Sequence, residues 1–171
     1  SRMWRSTVAT AHASRLIEQR MGGGNRGEIY TMALFHNLGE VLIVDLHRTL
    51  GRPAPRGGLA DGALARDMRG QHAELGALLL RSWKLPPALA AIAYAHHDPG
   101  KLERGTPLAR HAWVVGGAAQ AVAECGFSYM AENDQGPSIP AQSGELFQET
   151  GTTHLLLGQR GQGNEILPLQ I

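Results

Sequence analysis

The sequence is poor in the residues that build disulfide-rich or membrane-embedded proteins. Its single cysteine, Cys125, excludes a disulfide framework and a cysteine-based zinc site within the chain. No run approaches the roughly 18 apolar residues of a membrane span, and the start, Ser1 to Arg5, resembles no signal peptide. These absences predict a cytoplasmic protein without a membrane partner, and the first residues are expected to belong to the interior of a longer protein.

Aromatic residues and net charge are also scarce. Aromatics make up 5% of the chain, and 16 basic against 15 acidic residues leave a net charge of +1. No basic stripe interleaved with aromatics is present, so nucleic acid is not expected as a partner. The glycine-rich segment Gly22 to Gly27 fits neither a P-loop nor a dinucleotide fingerprint, and no Gly-x-Ser-x-Gly elbow occurs.

Hydrophobic spacing predicts an all-α fold, a helical bundle in which alanine and leucine carry most of the apolar share. The predicted helices are 3–20, 27–36, 38–47, a short one at 60–68, 71–83, one from Pro86 or Pro87 to about His97, and 106–125. The run Val41 to Val44 is also compatible with a buried strand, because β-branched residues favour strands. Helix is preferred there because both neighbouring segments are helical. Residues 49–60 contain prolines and glycines and predict a loop.

Two of these helices carry a predicted inward face. Helix 71–83 is expected to point four residues at the core, namely Leu75, Leu78, Leu79 and Trp83. The next helix places Leu89, Ile92, Ala93 and His96 on one stripe at i, i+3, i+4 and i+7. His96 is therefore predicted to face the core.

Four histidines in short helical phrases are the candidate metal ligands. They are His36, His72, His96 and His97, each at or near a helix end or a first turn. Three neutral imidazoles and a water would make an open, catalytic-type zinc site, so we expect a single metal on His72, His96 and His97 with His36 nearby. The alternative is that these histidines are hydrogen-bonded core residues, since single histidines on helix faces usually are.

The acidic residues that a two-metal hydrolase needs are missing from this pattern. A bridging carboxylate neutralises charge and holds two metals close together, yet Asn37 stands where such an aspartate would be most useful. Glu74 and Asp98 are interpreted as a solvated helix face and a helix stop, and Glu40 as a surface charge. The other histidines, His12, His47, His111 and His154, show no constellation and are interpreted as structural.

The phrases around these histidines, taken in order, resemble the HDOD domain, a bacterial relative of the HD phosphohydrolases. The most specific stretch runs from His72-Ala73-Glu74-Leu75-Gly76, through Trp83-Lys84-Leu85-Pro86-Pro87, to His96-His97-Asp98-Pro99. Leu34 to Glu40 resembles the family's segment of histidine, aspartate, isoleucine, glycine and lysine, and Trp4 to Ala11 resembles the helix with the first histidine. The resemblance covers residues 3–126 and lacks the amino-terminal helical half usual in the family. It implies a domain at 1–126. Residues 127–171 lie outside the resemblance, and their short apolar runs predict an irregular or hairpin tail or a small appendage.

Position by position, the resemblance implies that a two-metal centre is lost. Ser6 stands at the first histidine, Asn37 at the aspartate of the doublet, and Ala119 near the late aspartate, whereas the later histidines match His72, His96 and His97. The leading hypothesis is therefore a non-catalytic regulatory domain of a larger bacterial signalling protein. Its expected partner is a signalling protein, another domain of a longer chain, or a nucleotide.

The alternative hypothesis is a metal-dependent phosphohydrolase with a single-metal site formed by the four histidines His36, His72, His96 and His97. A third hypothesis is a purely structural domain whose histidines are hydrogen-bonded in the core. The leading hypothesis needs no cofactor, whereas the alternative needs one divalent transition metal, either Zn, Fe, Mn or Ni.

Overall fold

The computed structural model describes residues 2–23, 26–51 and 63–127, and within these ranges the chain forms helices and no strand. The α-helices are α1 (Arg2–Arg20), α2 (Arg26–Phe35), α3 (Leu38–Thr49), α4 (Ala63–Ser82), α5 (Pro87–Ala95) and α6 (Pro107–Val122). A 3-10 turn (Pro99–Lys101) follows α5, and a π-helical turn (Ala123–Phe127) follows α6. The predicted all-α class is confirmed. The predicted tail lies outside the described residues from 128 onward, and the boundary at 126 stays a prediction.

Local signals fix the helix ends that matter for the site. Thr106 caps α6, because its Oγ1 accepts the Ala109 amide at 3.2 Å and Pro107 fits the first helical position. At the end of α4, Lys84 has a left-handed backbone (φ 55°). The amides of Lys84 and Leu85 donate to the carbonyls of Arg81 and Leu80 at 2.9 and 3.1 Å. This pair of bonds is a Schellman ending, which turns the chain sharply towards α5.

The helices enclose two apolar clusters. The larger lies among α1, α2, α5, α6 and the second half of α4, and it buries side chains such as Ile17, Leu80 and Ile92. The smaller, Ile43, Leu64 and Met68, joins α3 to the first half of α4. Because α4 contributes to both clusters, His72 lies between them along this helix.

Two glycines allow α3 and α4 to touch at their backbones. A methyl group on Gly39 would overlap the carbonyl oxygen of His72 and come within 2.7 Å of the Gly76 amide nitrogen. A methyl on Gly76 would lie 3.0 Å from the Gly39 nitrogen. The start of α3 can therefore lie directly on the turn of α4 that begins at His72, which fixes the end of α2 near that histidine.

The structure corrects two details of the predicted helices. The predicted segments at 60–68 and 71–83 are joined where the structure describes them, in one helix from Ala63 to Ser82, since Gly70 does not interrupt the backbone. Leu78 and Trp83, predicted to face inward, are 61% and 54% exposed. The inward stripe of α5 is confirmed, because Leu89, Ile92, Ala93 and His96 are all buried.

A buried ion pair joins α1 to α6. The Glu18 side chain is fully buried, and its two carboxylate oxygens accept from Nη1 and Nη2 of Arg110 at 3.0 and 2.5 Å. His111 Nε2 lies 3.7 Å from the same carboxylate. The bidentate geometry compensates much of the cost of burying the charge.

The stretch Arg26–Thr49 could cross a membrane by length and composition, with a mean hydropathy of 1.3 over its most apolar window. The sequence analysis did not identify this stretch as a candidate membrane span. One such stretch is weak grounds for a span, because core helices pass the same test, and 39% of this window is buried inside the fold. The stretch consists of α2 and α3 with a turn at His36 and Asn37.

Candidate metal centre

Three imidazoles converge where the middle of α4 meets the end of α5. His72 lies in α4, His96 follows the last residue of α5, and His97 comes next in the chain. His72 Nε2 is 3.3 Å from His96 Nε2 and 2.8 Å from His97 Nε2. One ligand atom from each ring lies within 4.8 Å of the others, so the three rings could share one small ion.

Backbone carbonyls orient these rings. Nδ1 of His96 lies 2.9 Å from the Ala93 oxygen, and Nδ1 of His72 contacts the Met68 oxygen. A carbonyl can only accept, so each Nδ1 carries the proton and each Nε2 keeps its lone pair. Hydrogen bonding of the second ring nitrogen is the usual way in which proteins orient histidine ligands for a metal.

The resulting arrangement places two lone pairs opposite each other. Neither Nε2 of His72 nor Nε2 of His96 has a proton to offer, yet the two atoms are 3.3 Å apart. Two nitrogens bound at about 2.0–2.1 Å to a tetrahedral zinc ion are separated by about 3.3 Å. The spacing of His72 and His96 therefore fits a shared cation.

His97 can act as the third ligand once its ring proton has moved from Nε2 to Nδ1. Without metal, its Nε2–H donates to the lone pair of His72 Nε2 at 2.8 Å, since His72 can only accept there. To act as a ligand through Nε2, His97 has to carry its proton on Nδ1 and move by a few tenths of an ångström. Because it lies just beyond α5 and is half-buried, it has more room for this movement than His96.

Burial lowers the pKa of all four candidate histidines. Burial, helped by the neighbouring His72, lowers the pKa of His36 to about 4. Burial, with His72, His36 and Lys101 nearby, lowers the pKa of His97 to about 3. The pKa values of His72 and His96 are lowered by the same cause. Neutral imidazole is the form that binds metal, so the rings are ready to act as ligands at neutral pH.

His36 lies beside this group rather than in it. Its ring packs edge-on against His96, with centroids 5.0 Å apart, and its Nδ1 donates to the Ala33 oxygen at 2.6 Å. Its Nε2 is buried and has no hydrogen-bond partner in the part of the chain that the structure describes. The structure thus brings His72, His96 and His97 together. It places the fourth predicted ligand, His36, against His96.

The metal-ligating group within residues 2–23, 26–51 and 63–127 consists of histidines alone. Asn37 supplies an amide next to His36. Glu74 and Asp98 are exposed, and Asp98 Oδ1 accepts from the Gly100 amide at 3.2 Å, in keeping with a helix stop. Three imidazoles suit Zn, Fe, Ni or Cu better than the oxygen-preferring Mg or Mn. The residues present therefore fit one transition-metal ion.

Several polar contacts outside the cluster were missed by sequence reasoning. Glu40 was interpreted as a surface charge, but it is only 5% exposed, because the tight crossing of α3 on α4 covers this turn. His47 Nε2 lies 2.7 Å from Asp67 Oδ2, and His111 lies near Glu18. These partners are far apart in sequence, so no local pattern predicts them. His12 packs against Tyr30, and His154 lies outside the described residues.

Residues 1–99 match the family model of the HDOD domain. No curated protein matches the chain. In fold, the chain is similar to the crystal structure of a proposed phosphohydrolase from Shewanella amazonensis, with a TM-score of 0.56 and 21% identity. That alignment covers 93% of this chain and 60% of that one.

A second solved structure with a similar fold is the HD domain of the L. monocytogenes phosphodiesterase PgpH in complex with cyclic-di-AMP. It has a TM-score of 0.58 and 13% identity, over 96% of this chain and 94% of that one. At these identities the likeness to the solved structures is a likeness of fold. The chain spans about 60% of the length of the Shewanella protein.

Proposed function

This chain belongs to the HDOD domain family, and from that premise we propose that it is a non-catalytic regulatory domain of a bacterial signalling protein. In this proposal the cluster of His72, His96 and His97 is a ligand cradle rather than a hydrolytic centre. The domain acts by changing its contacts with a protein partner, or with other domains of a longer chain, when the cradle is filled.

The observation that carries the proposal is a ligand set of imidazoles without a carboxylate. Hydrolysis of a phosphoester by two metals needs a negatively charged bridge that holds the ions at a fixed distance. The neutral amide of Asn37 cannot supply that bridge. One ion held by three neutral ligands keeps its full charge, so it attracts an anionic group.

The histidines of the site have different roles in this proposal. His72 and His96 are held by the carbonyls of Met68 and Ala93 and would provide the fixed half of the cradle. His97 would provide the adjustable ligand. A Zn²⁺-type ion, when bound, supplies a positive centre with an open position for one oxygen. The buried Nε2 of His36 then offers an acceptor to a group bound nearby.

A nucleotide is the small ligand that we propose for the filled cradle. The PgpH HD domain, which has a similar fold, was crystallised with cyclic-di-AMP. A phosphate oxygen is the anionic group that an ion held by neutral ligands would attract. The proposed setting is the bacterial cytoplasm, where nucleotides serve as signals.

The second candidate function is a metal-dependent phosphohydrolase with one metal. One observation favours it. Three imidazoles around one ion leave a fourth position open, as in catalytic zinc sites that activate water. In this case the same cradle would cleave phosphoesters.

Metal content and turnover, measured together, test both candidates. The protein is incubated with Mn, Fe, Ni or Zn and freed of unbound ions, and its metal is measured by elemental analysis. Hydrolysis of bis(p-nitrophenyl) phosphate and of cyclic dinucleotides is followed in the same samples. The matched controls are His72→Ala/His97→Ala and His12→Gln, which removes an imidazole outside the cradle.

About one metal per chain, lost only in the double variant and without hydrolysis, supports the regulatory cradle. Metal-dependent hydrolysis that disappears in the double variant supports the phosphohydrolase instead. Absence of bound metal in the unaltered protein contradicts both uses of the cluster.

A further inference from the structure

A groove between α1 and α2 carries two arginines and lies apart from the histidine cluster. Its cavity has a volume of about 400 Å³ and is lined by Arg15, Gln19, Arg26, Gly27 and Tyr30. None of these residues belongs to the cradle. We propose that this groove, here called the α1–α2 groove, binds the phosphate group of a small soluble phosphorylated molecule through Arg15 and Arg26.

The two arginines of the groove have no acidic partner among the described residues. In the described ranges neither Arg15 nor Arg26 forms an ion pair with a carboxylate. The acid nearest to Arg15 along α1 is Glu18, which is buried and bound to both terminal nitrogens of Arg110. In a chain with a net charge of +1, two such guanidinium groups at one cavity form a local concentration of charge that attracts anions.

The remaining acid of this region does not face the groove. Glu28 follows Arg26 by two positions in α2, and residues two apart on a helix point in nearly opposite directions. Tyr30 follows Arg26 by four positions and therefore shares its face. Arg15 and Gln19 have the same four-residue spacing on α1, so two matching faces form the walls of the groove.

One arginine is held in place before any ligand arrives. The Arg15 guanidinium carbon lies 5.7 Å from the centroid of the Tyr30 ring, a contact that orients the cation over an aromatic face. The Tyr30 ring is in turn packed edge-on against His12, with centroids 5.1 Å apart. A guanidinium oriented in advance loses less freedom when it binds phosphate through two parallel hydrogen bonds.

The size and the other lining groups suit a phosphate carried by an organic molecule. About 400 Å³ falls in the lower part of the range of small-molecule sites. Gln19 and Tyr30 add an amide and a hydroxyl that can bind a sugar or a base. Gly27 has open space where a side chain would begin, so the first turn of α2 stays accessible. These features favour a nucleoside monophosphate over inorganic phosphate.

Isothermal titration with AMP and with inorganic phosphate tests the proposal on the full chain. We expect saturable binding of AMP that weakens as salt is raised. In Arg15→Gln/Arg26→Gln the Kd for AMP should rise about tenfold or more, because two charge-assisted contacts are lost. Arg81→Gln/Arg104→Gln removes the same charge from exposed positions on other elements and should leave the Kd nearly unchanged. Arg15→Lys/Arg26→Lys should bind with intermediate affinity, because lysine retains the positive charge but cannot form the two parallel hydrogen bonds of a guanidinium group.

Three results would overturn the proposal. The first is no saturable binding of either anion. The second is an equal loss of affinity in the Arg81/Arg104 control, which would indicate attraction by net charge alone. The third is binding that is lost in His72→Ala/His97→Ala and retained in Arg15→Gln/Arg26→Gln, which would place the anion at the cradle. Binding that survives in the histidine variant supports a separate site, whether or not the cradle binds metal.

Discussion

At the scale of single residues, three buried histidines and the half-buried His97 make the stability of the fold depend on pH. Their pKa values are lowered by burial, to about 4 for His36 and about 3 for His97, whereas in the unfolded chain each titrates near 6.5. Above pH 6.5 both states are neutral, and the free energy of unfolding is unaffected. As pH falls below 6.5, the unfolded chain binds protons that the folded chain does not bind, so the free energy of unfolding falls.

We therefore expect the free energy of unfolding of the metal-free protein to decrease between pH 6.5 and 5. The slope should approach about 1.4 kcal/mol per pH unit for each histidine involved. Urea unfolding at pH 7.5, 6.5, 5.8 and 5 in the presence of a chelator measures it. His36→Gln should reduce the slope by about the contribution of one histidine. Stability that stays constant down to pH 5 would contradict the burial of neutral imidazoles.

Glu18 and Arg110 illustrate a second residue-scale effect, the cost of a buried charge that loses its partner. Arg110→Met leaves the carboxylate of Glu18, whose side chain is fully buried, without its bidentate donor. We expect a loss of about 3 kcal/mol in the free energy of unfolding. Glu18→Gln/Arg110→Met should lose less than the single variant, because no buried charge remains. Denaturant unfolding of the two variants side by side decides this, and a larger loss in the double variant would contradict the argument.

At the scale of helices, the crossing of α3 on α4 depends on a missing side chain. A methyl group at Gly39 would meet the backbone of α4 at His72, and backbone cannot move aside as a flexible side chain can. Gly39→Ala is expected to destabilise the fold by about 3 kcal/mol or more through overpacking. It should also weaken any metal binding, since it displaces the turn that carries His72.

Gly70, on α4, provides the matched glycine control. A methyl group there meets nothing within 4 Å, and alanine is a better helix former than glycine by about 1 kcal/mol. Gly70→Ala should therefore raise the thermal midpoint slightly, whereas Gly39→Ala lowers it. Equal effects of the two substitutions would show that the crossing is looser than the structure indicates.

The end of α4 allows a stabilising substitution. Lys84 adopts a left-handed backbone at φ 55°, which costs a residue with a side chain more than it costs glycine. Lys84→Gly should raise the free energy of unfolding by roughly 0.5–1 kcal/mol, measured by urea denaturation. Lys84→Ala keeps the strain and removes the charge, so it should give no comparable gain. A loss of stability in Lys84→Gly would contradict the Schellman ending.

The same elements explain what could and could not be predicted from sequence. Helix ends followed from local chemistry, such as the start at Pro86 or Pro87 and the stop at Asp98, and these positions agree with the structure within a few residues. The inward stripe of α5 followed from its period. The burial of Glu40, the exposure of Trp83 and the walls of the α1–α2 groove depend on which helix lies opposite. One-dimensional patterns do not contain that information.

The candidate site shows the same division. The order of the phrases around His72, His96 and His97 was enough to predict that these residues meet. The side-chain geometry was not predictable, because it depends on the carbonyls of Met68 and Ala93 that orient each ring. The separate position of His36 follows from its own bond to the Ala33 oxygen. A match of spacing could not distinguish it from the other three.

At the scale of the whole molecule, the cradle connects the two apolar clusters. His72 lies on α4 between them, and His96 and His97 close α5, which packs in the larger cluster. An ion bound to all three rings would tie these helices together and would bind the folded chain far better than the unfolded one. Ligation would thereby favour one packing of the domain, which is the property that a regulatory module needs.

The magnitude of this coupling can be measured as a shift in thermal stability. With free Zn²⁺ at about 100 times its Kd, the folded state should gain about 2.7 kcal/mol, which corresponds to a rise of roughly 10 °C in Tm for a domain of this size. A chelator should reverse the rise, and His72→Ala/His97→Ala should show none. An equal rise in the double variant would mean that the ion binds elsewhere, and the cradle would then be a set of core histidines that only orient one another.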